Sequence, residues 1–250
     1  MRIGIVGASG RVGTRLVETI IASPGLVLAA ALVSPGSRLI GQPVAGGSIE
    51  YRPAEAAMNS HCDVMIDFST PKACLALQES VGDKNIPMVI GTTGFSPEED
   101  ARLTDYAAFR PMLVSANFAY GFEAFAQAAA FFARQMPGAE PVVVETYHAR
   151  KKAEPSGTSQ RLARQVHDAR SRAMAFDAAE TPILIHREGD VVGINEVRFR
   201  LGSGEASFTY TVQTLAAYAE GAISAAQWLV GKAPKSGRFG LADSLNPQGA

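Results

Sequence analysis

Gly7, Gly10 and Gly13 recur at intervals of three, directly after the apolar run Arg2–Val6. A strand that ends in Gly-x-x-Gly-x-x-Gly and opens at once into the helical pattern Val12–Ala22 is compatible with few folds. Gly7 permits a sharp turn, Gly10 lets a phosphate approach the backbone, and Gly13 lets the helix pack on the strand. The helix N-terminus then offers N–H groups and a partial positive charge. Tight strand-to-helix turns also use glycine for packing alone. With strand, loop and helix in this order, Gly7, Ala8, Ser9, Gly10, Arg11 and Val12 read as a dinucleotide-binding loop.

The alternation continues through the first half of the chain. Leu26–Val33, Asp63–Phe68, Pro87–Ile90 and Pro111–Ser115 are short apolar runs, as strands buried on both faces require. Between them, Lys72–Gly82 and Pro97–Phe109 have helical periodicity. Thr70-Pro71 and Ser96-Pro97 each place a hydroxyl cap before a proline at the first helical position. This predicts a Rossmann-type, doubly wound parallel sheet. After about Ala119 the pattern changes. Helices are expected at Phe122–Gln135, Pro155–Arg172 and Ala216–Val230. Strands are expected at Pro141–Tyr147, Thr181–Arg187, Asn195–Leu201 and Ala206–Thr214. The last three follow one another across Gly-rich turns, so this part reads as an α+β unit with a mixed sheet. The Phe131-Phe132 pair is expected in its core.

Composition narrows the function. The 250 residues carry 23 Lys plus Arg against 24 Asp plus Glu, a net charge of -1, which argues against a nucleic-acid partner. Cys62 and Cys74 cannot form a disulfide framework, and His61, His148, His167 and His186 have no metal-ligand spacing. No apolar run reaches the ~18 residues of a membrane span. Met1 leads straight into a strand, with no targeting segment before it, so a cytoplasmic enzyme is expected.

The cofactor's identity turns on the end of the second strand. Sheets that prefer NAD place an acid there to accept from the ribose hydroxyls. Gly25 through Gly47 contain no Asp or Glu; Ser34, Ser37 and Arg38 follow the strand instead. Hydroxyls and a guanidinium suit a 2′-phosphate, so NADPH is favoured over NADH, with NADH left possible.

Later motifs carry a resemblance. Val64-Met65-Ile66-Asp67-Phe68-Ser69, Gly91-Thr92-Thr93-Gly94, Ser115-Ala116-Asn117-Phe118 and Pro155-Ser156-Gly157-Thr158 follow the glycine loop in that order. Arg187-Glu188-Gly189-Asp190-Val191-Val192-Gly193, Glu220-Gly221-Ala222 and Leu241-Ala242-Asp243-Ser244-Leu245 extend the match over nearly the whole chain. The sequence thus resembles the 4-hydroxy-tetrahydrodipicolinate reductases (dihydrodipicolinate reductases) of lysine and diaminopimelate biosynthesis. The resemblance implies that Gly91, Thr92 and Thr93, with Ser115, Ala116, Asn117 and Phe118, line the nicotinamide half of the cofactor site. Phe68 ends a strand beside it. A homotetramer assembled through the second domain is implied as well, with the tail returning to the first. The expected division is therefore 1–118 with 231–250 for dinucleotide binding, and 119–230 for substrate binding and oligomerisation.

Glu145 through Thr158 is the substrate segment by the same resemblance. His148 and Lys151 match substrate-site residues, and Ser156, Gly157 and Thr158 match a turn that holds a substrate carboxylate. Hydroxyls and N–H groups at a helix start, beside an ammonium, independently suit a small dicarboxylate. Tyr147, however, stands where the family has its first histidine, the usual general acid. Ala153-Glu154, Ile194-Asn195 and Leu215 depart from the pattern too. A phenol of pKa near ~10 matches neutral proton transfer less well than an imidazole near ~6.5. Lys151 is thus the first candidate proton donor and Tyr147 the second. Three readings stay open: the family reaction, a paralogous imine reductase with another carboxylated substrate, and a cofactor-binding sensor without turnover.

Overall fold

The computed structural model describes residues 1–59, 61–82 and 85–245. Contacts divide them into two compact units, 1–120 with 215–245 and 121–214.

The apolar runs of the first unit become β1 (Arg2–Val6), β2 (Val27–Val33), β4 (Val64–Asp67), β5 (Met88–Ile90) and β6 (Pro111–Val114). Two three-residue strands, β3 (Tyr51–Pro53) and β11 (Gly237–Phe239), complete a seven-stranded sheet of order β11-β6-β5-β4-β1-β2-β3. Every pairing in it is parallel. Both faces are covered. Ile3, Ile5, Ile66 and Val89 pack with Leu16 and Ile20 of α1 (Arg11–Ala22) and Trp228 of α6 (Ala216–Gly231). Val6, Met65 and Met88 pack on the other side with Leu75 of α2 (Pro71–Val81) and Leu103 of α3 (Pro97–Ala107). Alternation of side chains along each strand is what feeds two apolar layers from one run. The helix starts follow the sequence signals. Thr70 accepts from the Ala73 amide, and Ser96 forms a reciprocal capping box with Glu99.

The boundary before α6 differs from expectation. Helix α6, expected with residues 119–230, packs into the first unit's core through Ala219, Ala222, Ala225 and Ala226. Its small residues let it lie close: a Cβ on Gly221 would sit 1.7 Å from the Phe118 carbonyl oxygen. The tail beyond Gly231 contains β11 and the short α7 (Leu241–Leu245), and β11 pairs with β6. Residues 246–250, part of the expected returning tail, lie outside the described residues.

The second unit holds α4 (Phe122–Gln135), β7 (Glu140–Tyr147), α5 (Gly157–Met174), β8 (Ile183–Arg187), β9 (Gly193–Leu201) and β10 (Gly204–Val212). Its sheet runs β10-β9-β7-β8 and is mixed: β7 and β8 are parallel, the other pairs antiparallel. Phe132 enters its core, with ring centroids 4.9 Å from Phe199 and 5.4 Å from Phe208. Phe131 does not. It is exposed on α4, with the Arg134 guanidinium 5.2 Å from its ring centre, because successive helical residues point about 100° apart.

Candidate active site

The glycine loop closes against the sheet through its backbone. The Gly7 and Ala8 amides both donate to the Leu32 carbonyl at 3.0 Å, and the Gly10 amide donates to Gly7 at 2.9 Å. Gly7 adopts φ +77°, open only to glycine at low cost. A Cβ on Gly13 would approach the Gly7 carbonyl oxygen to 2.1 Å. Gly10 caps α1 without any side-chain bond, and no acid occupies the first turn. These are the features a pyrophosphate needs, so the loop fits a dinucleotide. Ala8 is buried, Val12 half-buried, and Ser9 and Arg11 are exposed. Ser34 and Arg38 are exposed beyond the end of β2.

The next strand ends on a carboxylate that sequence reasoning did not single out. Asp67, 1% exposed, accepts at Oδ1 from the Ser69 amide (2.8 Å), the Ser69 hydroxyl (2.6 Å) and the Thr92 hydroxyl (2.9 Å). Thr92 in turn accepts from the Ser69 amide at 2.9 Å. Burial outweighs these bonds and holds the Asp67 carboxyl above its usual range. The Thr92 hydroxyl is thus engaged inside the protein, whereas Thr93 is exposed. The Phe68 ring fills the space over Gly91, where a Cβ would meet it at 2.3 Å, and packs edge-on against Phe118 at 5.6 Å.

The turn after β6 is braced in the same way. The Ser115 hydroxyl donates to the Asn117 carbonyl at 2.9 Å, and Asn117 Oδ1 accepts from the Ala119 amide at 2.8 Å. Ser115, Asn117 and Phe118 are buried; only Ala116 is exposed. Of these four residues, three shape the turn and one presents backbone. All of these positions stand at the carboxyl ends of parallel strands, where such sheets bind ligands.

In the second unit, the register of the mixed sheet gathers a polar cluster. Glu145 lies opposite Asn195 of β9, and Tyr147 lies opposite Arg187 of β8, all on one pleat face. The Glu145 side chain is 0% exposed. It accepts from the Arg187 guanidinium (2.7 Å), the Ser159 hydroxyl (2.5 Å) and the Ser156 amide (2.9 Å). Burial opposes its ionisation, but the bonds from Ser156, Ser159 and Arg187 outweigh burial and hold the carboxyl below its ordinary range. Arg187 also donates to the carbonyls of Lys152 (2.7 Å) and Glu154 (3.0 Å), which ties down the loop leading to α5.

An ionised Glu145 fixes the polarity of the hydroxyls around it, because it can only accept. Ser159 spends its hydrogen on Glu145, with Asn195 Oδ1 farther off at 3.3 Å. The Ser156 hydroxyl, 3.0 Å from Ser159 Oγ, directs its hydrogen into the same network and accepts from the Ser159 amide at 3.1 Å. The Ser156 hydroxyl is thus the N-cap of α5, at the start of the turn expected to hold a substrate carboxylate with Gly157 and Thr158. Gly157 is exposed, with nothing within 4 Å of where its Cβ would be, so the helix start is open there. Thr158 is half-buried in the first turn.

Tyr147, His148 and Lys151 lie together at the end of β7. The Tyr147 ring is 6% exposed and faces Gly193, where a Cβ would come within 2.8 Å of Cε1. The Lys151 amide donates to the His148 carbonyl at 3.0 Å, folding the loop so that the Lys151 ammonium lies 4.0 Å from the Tyr147 ring centre. His148 Nδ1 is buried without a hydrogen-bond partner. The sequence assigns roles to these three residues, but Glu145 and Arg187 stand in its motifs without one and Ser159 is not named. The available signal was a glutamate at an inward position of a strand otherwise inward-facing with Val143 and Tyr147. No group of three His, Cys, Asp or Glu among the described residues is placed to hold a metal ion.

A parallel nucleotide sheet with a glycine loop, joined to a mixed-sheet unit with an anion-receptive helix start, defines the class of two-unit nicotinamide-dependent oxidoreductases. Residues 1–118 match the family model for dihydrodipicolinate reductase, N-terminus, and residues 121–245 that for its C-terminus. The chain belongs to the dihydrodipicolinate reductase family. It is 35% identical to the 4-hydroxy-tetrahydrodipicolinate reductase of Ralstonia nicotianae, over 98% of this chain and 99% of that one. With the enzyme of that name from Saccharophagus degradans it shares 34% identity, over 94% and 95% of the two chains. The fold is similar to that of dipicolinate-bound dihydrodipicolinate reductase from Paenisporosarcina sp. TG-14, with a TM-score of 0.77 at 20% identity over 97% and 98% of the chains.

Proposed function

We propose that this protein reduces 4-hydroxy-tetrahydrodipicolinate to tetrahydrodipicolinate with NADPH, on the diaminopimelate route to lysine. The observation that carries the reading is the Glu145–Ser159–Arg187 network, which builds the helix start at Gly157 and Thr158 into a rigid receptor for a carboxylate. The family motifs support the substrate, a small dicarboxylate. The nicotinamide, when bound, supplies hydride. The chain supplies position, charge and a proton. Gly7, Ala8, Ser9, Gly10, Arg11 and Val12 would hold the pyrophosphate, with Gly91, Thr93 and Ala116 towards the nicotinamide. Ser34 and Arg38 would take the 2′-phosphate, which is why we assign NADPH ahead of NADH.

His148 and the Gly157–Thr158 turn orient the substrate carboxylates. Lys151 donates the proton: its Nζ–H bond breaks as the substrate atom that receives the displaced electron pair forms a new bond to hydrogen. The hydroxyl of the substrate departs with one ring hydrogen as water, and the hydride and the Lys151 proton then add across the double bond so formed, so one hydride and one proton are consumed per turnover. A second copy of the chain covering the β8 side, where Leu184 is 49% exposed, is consistent with a homotetramer. The reaction belongs in the cytoplasm, where the reduced nicotinamide pool lies. No helix among the described residues is long and apolar enough to cross a membrane.

Tyr147 in place of the family histidine favours one other reading, a related carboxylated cyclic imine as substrate. Purified protein given freshly generated hydroxy-tetrahydrodipicolinate should consume NADPH. Turnover only with another cyclic imine would select the second reading, and none with any would reject both.

A further inference from the structure

Tyr147, which stands in place of the family histidine, touches the proposed proton donor through the face of its ring. Four observations define the arrangement. The Lys151 ammonium is 4.0 Å from the ring centre, within the range of a cation–π contact. The Arg187 guanidinium lies 5.8 Å from the same centre, so one ring serves two cations. The ring is held by its surroundings: Gly193 leaves room for it that any Cβ would remove. The loop that returns Lys151 over residue 147 is fixed by its own bonds. Ala149 donates to the Gly189 carbonyl at 2.9 Å, Glu188 donates to the Tyr147 carbonyl at 2.9 Å, and Arg187 clasps Lys152 and Glu154.

We infer that Tyr147 is a positioning residue: its ring holds the Lys151 ammonium in place, and its phenol is not the proton donor. The inference rests on the reading of Lys151 given above. A lysine side chain has four rotatable carbons and loses much freedom when fixed. An aromatic face attracts the ammonium without accepting its proton, which a carboxylate in the same place would compete for. The ring thereby does for Lys151 what a second-layer hydrogen bond does for an imidazole. Tyr147 and Lys151 are four residues apart, yet the contact is made across a turn and not along a helix, so spacing alone does not reveal it.

The test replaces Tyr147 by Phe and then by phenylalanines with one, two and three ring fluorines, which weaken the negative ring face stepwise at nearly constant shape. Tyr147→Phe is expected to lower kcat by about two- to threefold, and the fluorinated rings to lower it progressively, to about tenfold in all. In a Lys151→Met background the residual rate should not follow fluorination. A packing role would give no such series. Loss of more than about a hundredfold in Tyr147→Phe, or a flat fluorine series, would overturn the inference. An independent readout needs no substrate: in nuclear magnetic resonance spectra the Lys151 ε-methylene protons should be shifted upfield by the ring, and should lose that shift in Tyr147→Leu. Unshifted protons in the unaltered protein contradict the inference. A shifted Lys151 in a protein without turnover contradicts the function proposed above instead.

Discussion

The carboxylate of Glu145 and the guanidinium of Arg187 form a 2.7 Å ion pair whose members are 0% and 13% exposed, on adjacent parallel strands of the mixed sheet. Charges withdrawn from water this far are tolerated only when paired and hydrogen-bonded. Here the pair also organises the loop from Lys151 to Ser156, through the carbonyls of Lys152 and Glu154 and the amide of Ser156. Stability and the proposed substrate receptor thus share one set of bonds.

Glu145→Gln keeps the shape and removes the charge. Arg187 is left without its counter-charge, and breaking such a pair costs about 3–5 kcal/mol. Its carbonyl acceptors place the expected loss near the lower end, with KM raised more than kcat is lowered. The pH dependence has a defined sign. A folded-state carboxyl below its usual value of about 4.3 stabilises the protein above that pH, and the contribution is lost as pH falls through the folded value. Urea unfolding as a function of pH should show this acid-side loss in the unaltered protein and a smaller one in Glu145→Gln.

Asp67 carries the opposite sign. Its carboxyl is raised by burial, so the folded protein binds a proton more tightly than the unfolded chain. That favours folding at low pH and opposes it increasingly as pH rises from about 3.9 through the folded value. Asp67→Asn retains an acceptor oxygen for Ser69 and Thr92 without the buried charge, and should match or exceed the parent in thermal stability at neutral pH. Asp67→Ala leaves those donors unpaired, at about 1–3 kcal/mol, and should weaken cofactor binding measured by calorimetry.

Gly10 and Gly13 should separate binding from folding. A Cβ at position 13 meets the Gly7 carbonyl oxygen at 2.1 Å, whereas one at position 10 meets it at 3.1 Å. Gly13→Ala is expected to lower the thermal midpoint markedly. Gly10→Ala should fold nearly as well yet bind NADPH at least about tenfold more weakly, because the methyl group occupies the phosphate approach.

Much of this was legible in the residues. Apolar runs and hydroxyl–proline pairs marked the central strands and helix starts within one or two positions, and the glycine spacing placed the turn from β1 into α1. The strands Tyr51–Pro53 and Gly237–Phe239 were not legible, since three residues carry no period and form only by pairing at the sheet edges. Helix 216–231 joined the wrong neighbour for a related reason: small residues show that something packs closely but not what. Asp67 and Glu145 stand in the motifs without a role because a single acid in a strand gains meaning only from donors brought to it by other elements. The polarity of the Ser156 hydroxyl depends on Glu145 and could not be read from the Ser-Gly-Thr turn alone.

Arg38 bears on the choice of cofactor. If it meets a 2′-phosphate, Arg38→Ala should raise the Kd for NADPH by about tenfold and leave that for NADH nearly unchanged. Equal effects on both would assign Arg38 to the loop alone.

The proposed reaction is tested most directly by following the hydride. With NADPH carrying deuterium at the transferable position, tetrahydrodipicolinate formed from hydroxy-tetrahydrodipicolinate should contain one deuterium per molecule by mass spectrometry, in step with NADPH consumed. Unlabelled product, or NADPH oxidised without product, would contradict the assignment.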